Sequence, residues 1–373
     1  MDALENEFPL DPEIVYLNHA AVAPWPARTA AAVEAFAREN IHQGARDYPR
    51  WLEREQRLRE QLRDLVGAES IDDIALLKNT SEGLSVIAAG LPWKAGDNVV
   101  ITDQEFPSNR IPWQALGRQD VETREVSLTG PEPEENLVNA MDSRTRLLSV
   151  SSVQYGTGLR LDLKRLGKAC EERGVLFCVD AIQSLGAHPV DAGAVGAHFV
   201  VADGHKWMLG PEGLAVFYCA PGVREQLALQ QYGWHMVEHA GDFDRRDWQP
   251  ATSARRFECG SPNLLGAHAL SASLSLLLET GLDTVEAEIR QRLDYLMEPL
   301  RNRHGAEIIT PEAAGRRAGI VTFRLPREAP EATWKRLREG GVICALRGGG
   351  VRLSPHYYTP WTHLERALAL LEG

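Results

Sequence analysis

Two patterns of apolar residues alternate along this chain from about Tyr16 to Cys219. Short runs without polar interruption, LLSV at 147–150, LFCV at 176–179 and FVVA at 199–202, carry the branched and aromatic side chains of strands buried on both faces. The segments between such runs space their apolar residues as amphipathic helices do. Strand then helix, repeated, predicts a mostly parallel sheet covered on both faces. From 222 to 255 the pattern dissolves into charges and isolated aromatics such as Trp234 and Trp248, and irregular chain is expected. Periodicity returns at 264–278, rich in Ala, Ser and Leu, which reads as a long buried helix. The stretch 284–303 has helical spacing with many charges, best taken as a solvated face. Apolar runs at 320–325, 341–344 and 351–354, then a helix over 360–371, predict a small α+β unit at the end.

Two of the strand runs lead into chemistry. The run 176–179 closes on Asp180, and 199–202 closes on Asp203, Gly204, His205 and Lys206. A Gly and Pro turn and the short DAGAVG stretch at 191–196 separate them, which lets both ends face one edge of the sheet. The edge outside the carboxyl ends of parallel strands is where open α/β sheets bind ligands. A lysine there is a candidate Schiff-base former once burial lowers its pKa enough to free the amine. Taken singly the pieces are weak, because an aspartate at a strand end often only caps a helix and a surface lysine needs no task. Asp180 and Gln183 as D-x-x-Q, G-H-K at 204–206 and G-P-E-G at 210–213, in that order and in strand-end context, favour ligand chemistry.

That order resembles the class V aminotransferase and cysteine desulfurase family of pyridoxal-phosphate enzymes, and the likeness extends along nearly the whole chain. The resemblance implies fold type I, an α/β architecture with a mostly parallel seven-stranded sheet covered by helices. It implies a large cofactor-binding domain over 16–260, with 1–15 and 261–373 forming a smaller α+β domain. It implies pyridoxal 5'-phosphate as cofactor, joined to the catalytic Lys206 as a Schiff base. Asp180 would pair with the pyridinium nitrogen and keep it protonated, so that the ring acts as an electron sink. Gln183 would sit near the ring hydroxyl and His205 near the phosphate. NTSEG at 79–83 resembles the family's T-T-E-A turn, which puts Thr80 and Ser81 at a helix N-terminus where amides and hydroxyls hold phosphate. Without the lysine motif the same two residues would be read as a plain helix cap.

Further segments carry the resemblance. EFPSN at 105–109, followed by Pro112 and Trp113, is similar to E-H-H-x-N-x-x-P-W, so Phe106 falls where a histidine stacks on the pyridine ring. A phenylalanine stacks by its face but shuttles no proton, and alone it would be read as a core aromatic. YLNHAA at 16–21 places Asn18 at the substrate mouth, and SVQYGTG at 152–158 puts Tyr155 where the family has a substrate-side asparagine. VRLSPHYYT at 351–359 makes Arg352 the planar fork that grips a substrate α-carboxylate, where an isolated arginine would be read as a surface ion pair. RFECGSPN at 256–263 resembles a loop that reaches the phosphate of the neighbouring subunit, which implies a homodimer with Ser261 crossing the interface.

The composition fits. A chain of 373 residues, 44% hydrophobic and 25% charged, buries a large core and divides into a main and a smaller domain. Its net charge of -12 argues against a nucleic-acid partner. Cys170, Cys178, Cys219, Cys259 and Cys344 show no paired or metal-like spacing, so reduced thiols in a cytoplasmic protein without a metal are expected. Residues 1–7 are acidic and lack the basic and apolar pattern of a leader. No apolar run approaches the roughly 20 residues that span a bilayer, so no membrane partner is expected.

The expected substrate is an α-amino acid. Its amine would displace Lys206, whose freed amine becomes a general base at Cα. Return of the proton to the cofactor carbon gives transamination, return to the other face of Cα gives epimerisation, and loss of a β-substituent gives elimination. Desulfurases carry a nucleophilic cysteine on a flexible loop before the carboxylate-binding arginine, whereas RGGGVR at 347–352 has none. Cys344 precedes it inside the apolar VICA run at 342–345, where a buried thiol is inert. C–S lyase or epimerase-type chemistry, as in the isopenicillin N epimerase-like branch, therefore ranks above class V transamination. A cysteine desulfurase or selenocysteine lyase, and a non-catalytic pyridoxal-phosphate-binding module, are the remaining alternatives. Intact Lys206, Asp180, Gln183 and Arg352 argue against the last.

Overall fold

The computed structural model describes Leu4 and residues 6–372. Residues 1–3, 5 and 373, assigned by sequence to the smaller domain, lie outside the described residues. Strand β1 (Val15–Tyr16) precedes a main sheet made of β2 (Ile74–Leu77), β3 (Asn98–Thr102), β4 (Glu122–Val126), β5 (Thr145–Ser151), β6 (Leu176–Asp180), β7 (Phe199–Asp203) and β8 (Ala215–Cys219). Across the sheet the order is β2-β8-β7-β6-β5-β3-β4. Strands β3 to β7 pair in parallel, and β8 runs antiparallel to both β7 and β2. This is the mostly parallel α/β sheet that the strand and helix alternation predicts, with the seven strands that the family resemblance implies.

The unbroken apolar runs have a direct cause in this geometry. Phe177 and Val179 of β6 join one apolar cluster with Val100, Val150 and Val200, while Cys178 joins another with Ile101, Phe199 and Val201. Successive side chains of a strand point to opposite faces, so a strand covered on both sides shows no polar alternation. The edge strand β4, ETREV, keeps exposed charges, as an edge that must not pair further requires. One covering helix, Leu163–Arg173, starts where the Asp162 side chain accepts the Arg165 amide at 3.1 Å and stops at the left-handed Gly174. It lies so close to the chain before β7 that a Cβ on Gly167 would stand 1.7 Å from the Val195 carbonyl oxygen.

Beyond β8 the irregular stretch is found as expected, with only the short turn Pro221–Arg224 before the 3-10 turn Ala254–Phe257. The helices Leu264–Thr280 and Leu282–Asn302 follow, the second starting two residues earlier than its spacing implied. After them come β9 (Glu307–Ile308), β10 (Val321–Arg324), β11 (Val342–Ile343), β12 (Ala345–Arg347), β13 (Gly350–Leu353) and the final helix Trp361–Ala369. Strands β12-β13-β10-β9 form an antiparallel sheet, and β11 pairs in parallel with β1, joining the two ends of the chain. No helix among the described residues is long and apolar enough to cross a membrane.

A buried charge network fixes the loop ahead of Ser261. The Arg59 guanidinium donates to both oxygens of Glu258 at 2.7 Å, to Glu55 at 2.6 Å and to the Ile74 carbonyl at 2.9 Å. Glu258 also accepts the Leu76 amide at 2.8 Å, so one carboxylate ties the loop to β2. Removing one partner strands the other charge away from water. Glu258→Ala is expected to lower stability by about 3–5 kcal/mol, read as a clear drop in the thermal unfolding midpoint. An unchanged midpoint would contradict this.

Candidate active site

The carboxyl ends of β6 and β7 deliver Asp180 and Asp203 to the same edge of the sheet, and Lys206 follows three residues after β7. Opposite them stands the β12–β13 hairpin with Arg347 and Arg352. Between lies a cavity of about 260 Å³ lined by Thr80, Phe106, Tyr155, Asp180, Gln183, His205, Lys206 and Arg352 among others. Eight residues singled out from the sequence thus share one space. A larger groove of about 790 Å³, between the helices Ala27–Gln43, Tyr48–Val66 and Leu264–Thr280, contains neither the lysine nor Asp180.

Burial governs the two central groups. Asp180 is 1% exposed, and loss of water pushes its carboxyl up, while the Ile182 amide at 3.0 Å favours the ionised form and nearby Glu105 opposes it. Burial likewise pushes the Lys206 amine below its ordinary value; Asp180 counteracts this and the Arg352 guanidinium adds to it. The Lys206 Nζ stands 5.7 Å from the Phe106 ring centroid. Phe106 is 41% exposed, which excludes the reading as an ordinary core aromatic. Its ring packs edge-on against Tyr155, 5.2 Å between centroids.

Arg352 is 2% exposed yet has no acidic partner among the described residues. Its Nη1 donates to the Tyr155 carbonyl at 2.8 Å, its Nη2 lies 3.5 Å from Asn18 Oδ1, and its Nε has no partner. Desolvation, helped by Arg347, lowers its pKa to about 10. A buried cation left unpaired is strongly disfavoured unless an anion completes it, and a planar fork suits a carboxylate. Asn18 does not line the cavity itself; it meets the site only through Arg352.

The remaining expected residues are held differently. Asn79 caps the helix Thr80–Gly90, its Oδ1 accepting the Glu82 amide at 2.9 Å, so Thr80 and Ser81 are not the cap. The Ser81 hydroxyl points outward to Ser108 at 2.9 Å, and Ser108 rather than Ser81 reaches the cavity. Gln183 is braced at both ends of its amide, donating to the Ala20 carbonyl at 3.0 Å and accepting from Trp207 Nε1 at 2.9 Å. His205 Nδ1 has no partner and faces Asp203 Oδ1 at 3.8 Å. Ser261 is exposed and lies outside the cavity wall.

Two supporting groups escaped the sequence reading. Glu105 is buried and accepts from Thr102 Oγ1 at 3.0 Å, Asn109 Nδ2 at 2.9 Å and the Ser151 amide at 2.8 Å, linking the ends of β3 and β5 around Phe106. The signal was present as Glu105 and Asn109 four residues apart, flanking the aromatic. His19, fully buried, bonds the Ser354 carbonyl at 2.8 Å and Tyr358 Oη at 2.6 Å; burial lowers its pKa to about 4, so it holds the Asn18 segment against β13 as a neutral ring. A lysine and an acid in one desolvated cavity, with an unpartnered ring nitrogen on His205 and an unpartnered Nε donor on Arg352, fit an anionic aldehyde cofactor and an amino-acid carboxylate.

Comparison with known proteins agrees with this geometry. The family model described as aminotransferase class-V matches residues 15–357. A probable cysteine desulfurase of Methanothermobacter thermautotrophicus is 30% identical, with 95% of this chain and 93% of that protein covered. The isopenicillin N epimerase of Streptomyces clavuligerus is 28% identical, over 98% of this chain and 96% of that protein. Among solved structures, a mutant of C-DES with glycine covalently linked to its pyridoxal-phosphate cofactor superposes with a TM-score of 0.91 at 22% identity, covering 99% of each chain.

The lowered Lys206 amine yields a prediction with a definite sign. Capture of an aldehyde by the ligand-free protein should speed up with pH and level off well below the ordinary lysine range, because the neutral amine is the nucleophile. Arg352→Gln removes a cation that disfavours the charged amine, so the plateau should move to higher pH. Absorbance-monitored capture rates across pH check both, and an unmoved plateau would reject the coupling.

Proposed function

This chain belongs to the class-V aminotransferase family and is a pyridoxal-phosphate-dependent enzyme, and from that premise we propose that it acts on an α-amino acid by C–S bond elimination or epimerisation. The observation that carries this reading is the unpaired, buried Arg352 facing Lys206 across a cavity with no cysteine in its wall. Arg352 takes the substrate α-carboxylate in its fork, with Tyr155 holding the guanidinium in place. Asp180 would hold the cofactor's ring nitrogen, Phe106 would cover a ring face, and the Thr80 helix terminus with His205 would receive the phosphate. The cofactor, when bound, supplies an electron sink for the substrate's Cα. Lys206, its amine neutral at modest pH because of burial, removes and returns the Cα proton.

Two features favour this over persulfide-forming desulfuration. The β12–β13 turn is closed by Gly348 and Gly349, both at positive φ, and a Cβ on Gly348 would stand 2.3 Å from the Gly156 carbonyl oxygen. A turn that tight leaves no mobile loop for a nucleophile. Cys344 sits in the core, where burial pushes its thiol up to about 12, far from the thiolate that attack requires. The other reading, cysteine desulfuration, draws on the 30% identical relative with that name.

Assay of the pure protein with amino acids bearing β-thio substituents should yield keto acid and ammonia, or inverted Cα configuration, without amino transfer to an added keto acid. Cys344→Ser should keep that activity, whereas its loss together with alanine and sulfane sulfur as wild-type products would restore the desulfurase. Arg352→Ala should weaken substrate binding by about 1–3 kcal/mol.

A homodimer is part of the same proposal. Tyr232, Trp234, Phe243 and Trp248 are exposed, and their segment rests on the Ser261 loop through the Cys259 Sγ to Gln231 contact at 3.2 Å. An aromatic patch of this kind is suited to cover by a second copy, which would bring Ser261 toward the partner's phosphate site. Light scattering in solution should give twice the 41.3 kDa chain mass; a monomer would contradict it.

A further inference from the structure

The N-terminus of the helix Thr80–Gly90 already holds an acidic side chain of the protein's own. Asp203 Oδ2 accepts the Thr80 amide at 3.2 Å, and the Asp203 amide donates back to Thr80 Oγ1 at 3.2 Å. The residue is only 7% exposed, and its second oxygen, Oδ1, is buried in the cavity wall with no hydrogen-bond partner. The positive end of the helix dipole and a buried, unpartnered carboxylate oxygen therefore meet at one point. That point is where the cofactor's phosphate is placed by the reading above, on which this inference rests.

A carboxylate and a phosphate dianion cannot share one hydrogen-bonding position while both remain ionised. The charged groups around Asp203 give little compensation. Lys78 and Glu82 belong to the same helix start and offset one another, the Glu82 carboxylate being turned back onto the Lys78 amide. Asp180 faces from β6, and His205, Lys206 and Glu212 from the segment after β7. Arg347 and Arg352 face from the hairpin. Two further acids, Asp180 and Glu212, thus share the wall with three cations, of which Lys206 and Arg352 already have the tasks assigned above.

We infer that Asp203 makes cofactor retention proton-linked, one proton being taken up when the phosphate docks and held between Asp203 Oδ1 and a phosphate oxygen. A phosphate monoester is mostly dianionic above its second pKa of about 6, so at neutral pH and above that proton comes from solution. Each unit of rising pH then weakens binding by about tenfold, and mild alkali strips the enzyme of its cofactor.

The test uses pyridoxine 5'-phosphate, which has the phosphate but no aldehyde and so cannot join Lys206. Calorimetry at about pH 7.5 and about pH 8.5, in buffers of different ionisation enthalpy, counts the protons bound. The wild type should take up about one and lose about tenfold in affinity across that interval. Asp203→Asn, which keeps the acceptor for the Thr80 amide, should bind more tightly, with less uptake and a flat profile. Pyridoxine, lacking the phosphate, should show no difference between the two proteins. As a second measure, dialysis at the higher pH should release pyridoxal phosphate faster from the wild type than from Asp203→Asn. Equal uptake and equal pH dependence in both proteins would overturn the inference. Borohydride reduction and mapping of the pyridoxyl group separates the failures: an adduct on Lys206 in both leaves the cofactor assignment standing, and none in either removes it.

Discussion

Everything in this molecule's chemistry depends on bringing an amine and a carboxylate out of water into one small space. Asp180 is almost wholly buried and Lys206 partly so, and desolvation moves their pKa values in opposite senses, the acid upward and the base downward. Neither would be tolerated alone in so dry a place. The sheet makes the arrangement rigid: β6 and β7 are paired in register, Asp180 opposite Val201, so the acid and the loop that bears the lysine leave the sheet side by side. The small sheet closes the opposite wall with a second desolvated cation, Arg352, and the cavity becomes a space suited to anionic groups.

The parts of this design legible in the sequence are those set by short-range pattern. The runs at 176–179 and 199–202 reported two covered faces because no polar residue interrupts them, and the acids that end them marked the functional edge. D-x-x-Q and G-H-K could be placed because each follows a strand directly. The long helices at 264 and 284 were visible in spacing alone, and the second was set two residues late because Gly281 allows the chain to turn straight into it.

The parts that were not legible arise from contacts between distant segments. Thr80 and Ser81 look like a cap in sequence, yet Asn79 does the capping, because its side chain is the one that reaches the Glu82 amide. Glu105 reads as one motif letter until Ser151, forty-six residues on, is seen to complete its shell of donors. Gln183 was expected beside a ring hydroxyl, but both ends of its amide also brace Ala20 and Trp207, so it sets the spacing of the wall as well. The Arg59 and Glu258 pairing joins residues 199 apart, and no local pattern announces it.

The parallel pairing of β1 with β11, and the bridge between Asn18 and Ser354, have a consequence for biogenesis. The central sheet is complete by β8, whereas the wall that carries Arg352 is made only after β12 and β13 have followed. Synthesis therefore delivers the acid and the amine before the guanidinium that faces them. A chain that stopped short of β13 would keep the sheet and lack one wall of the site.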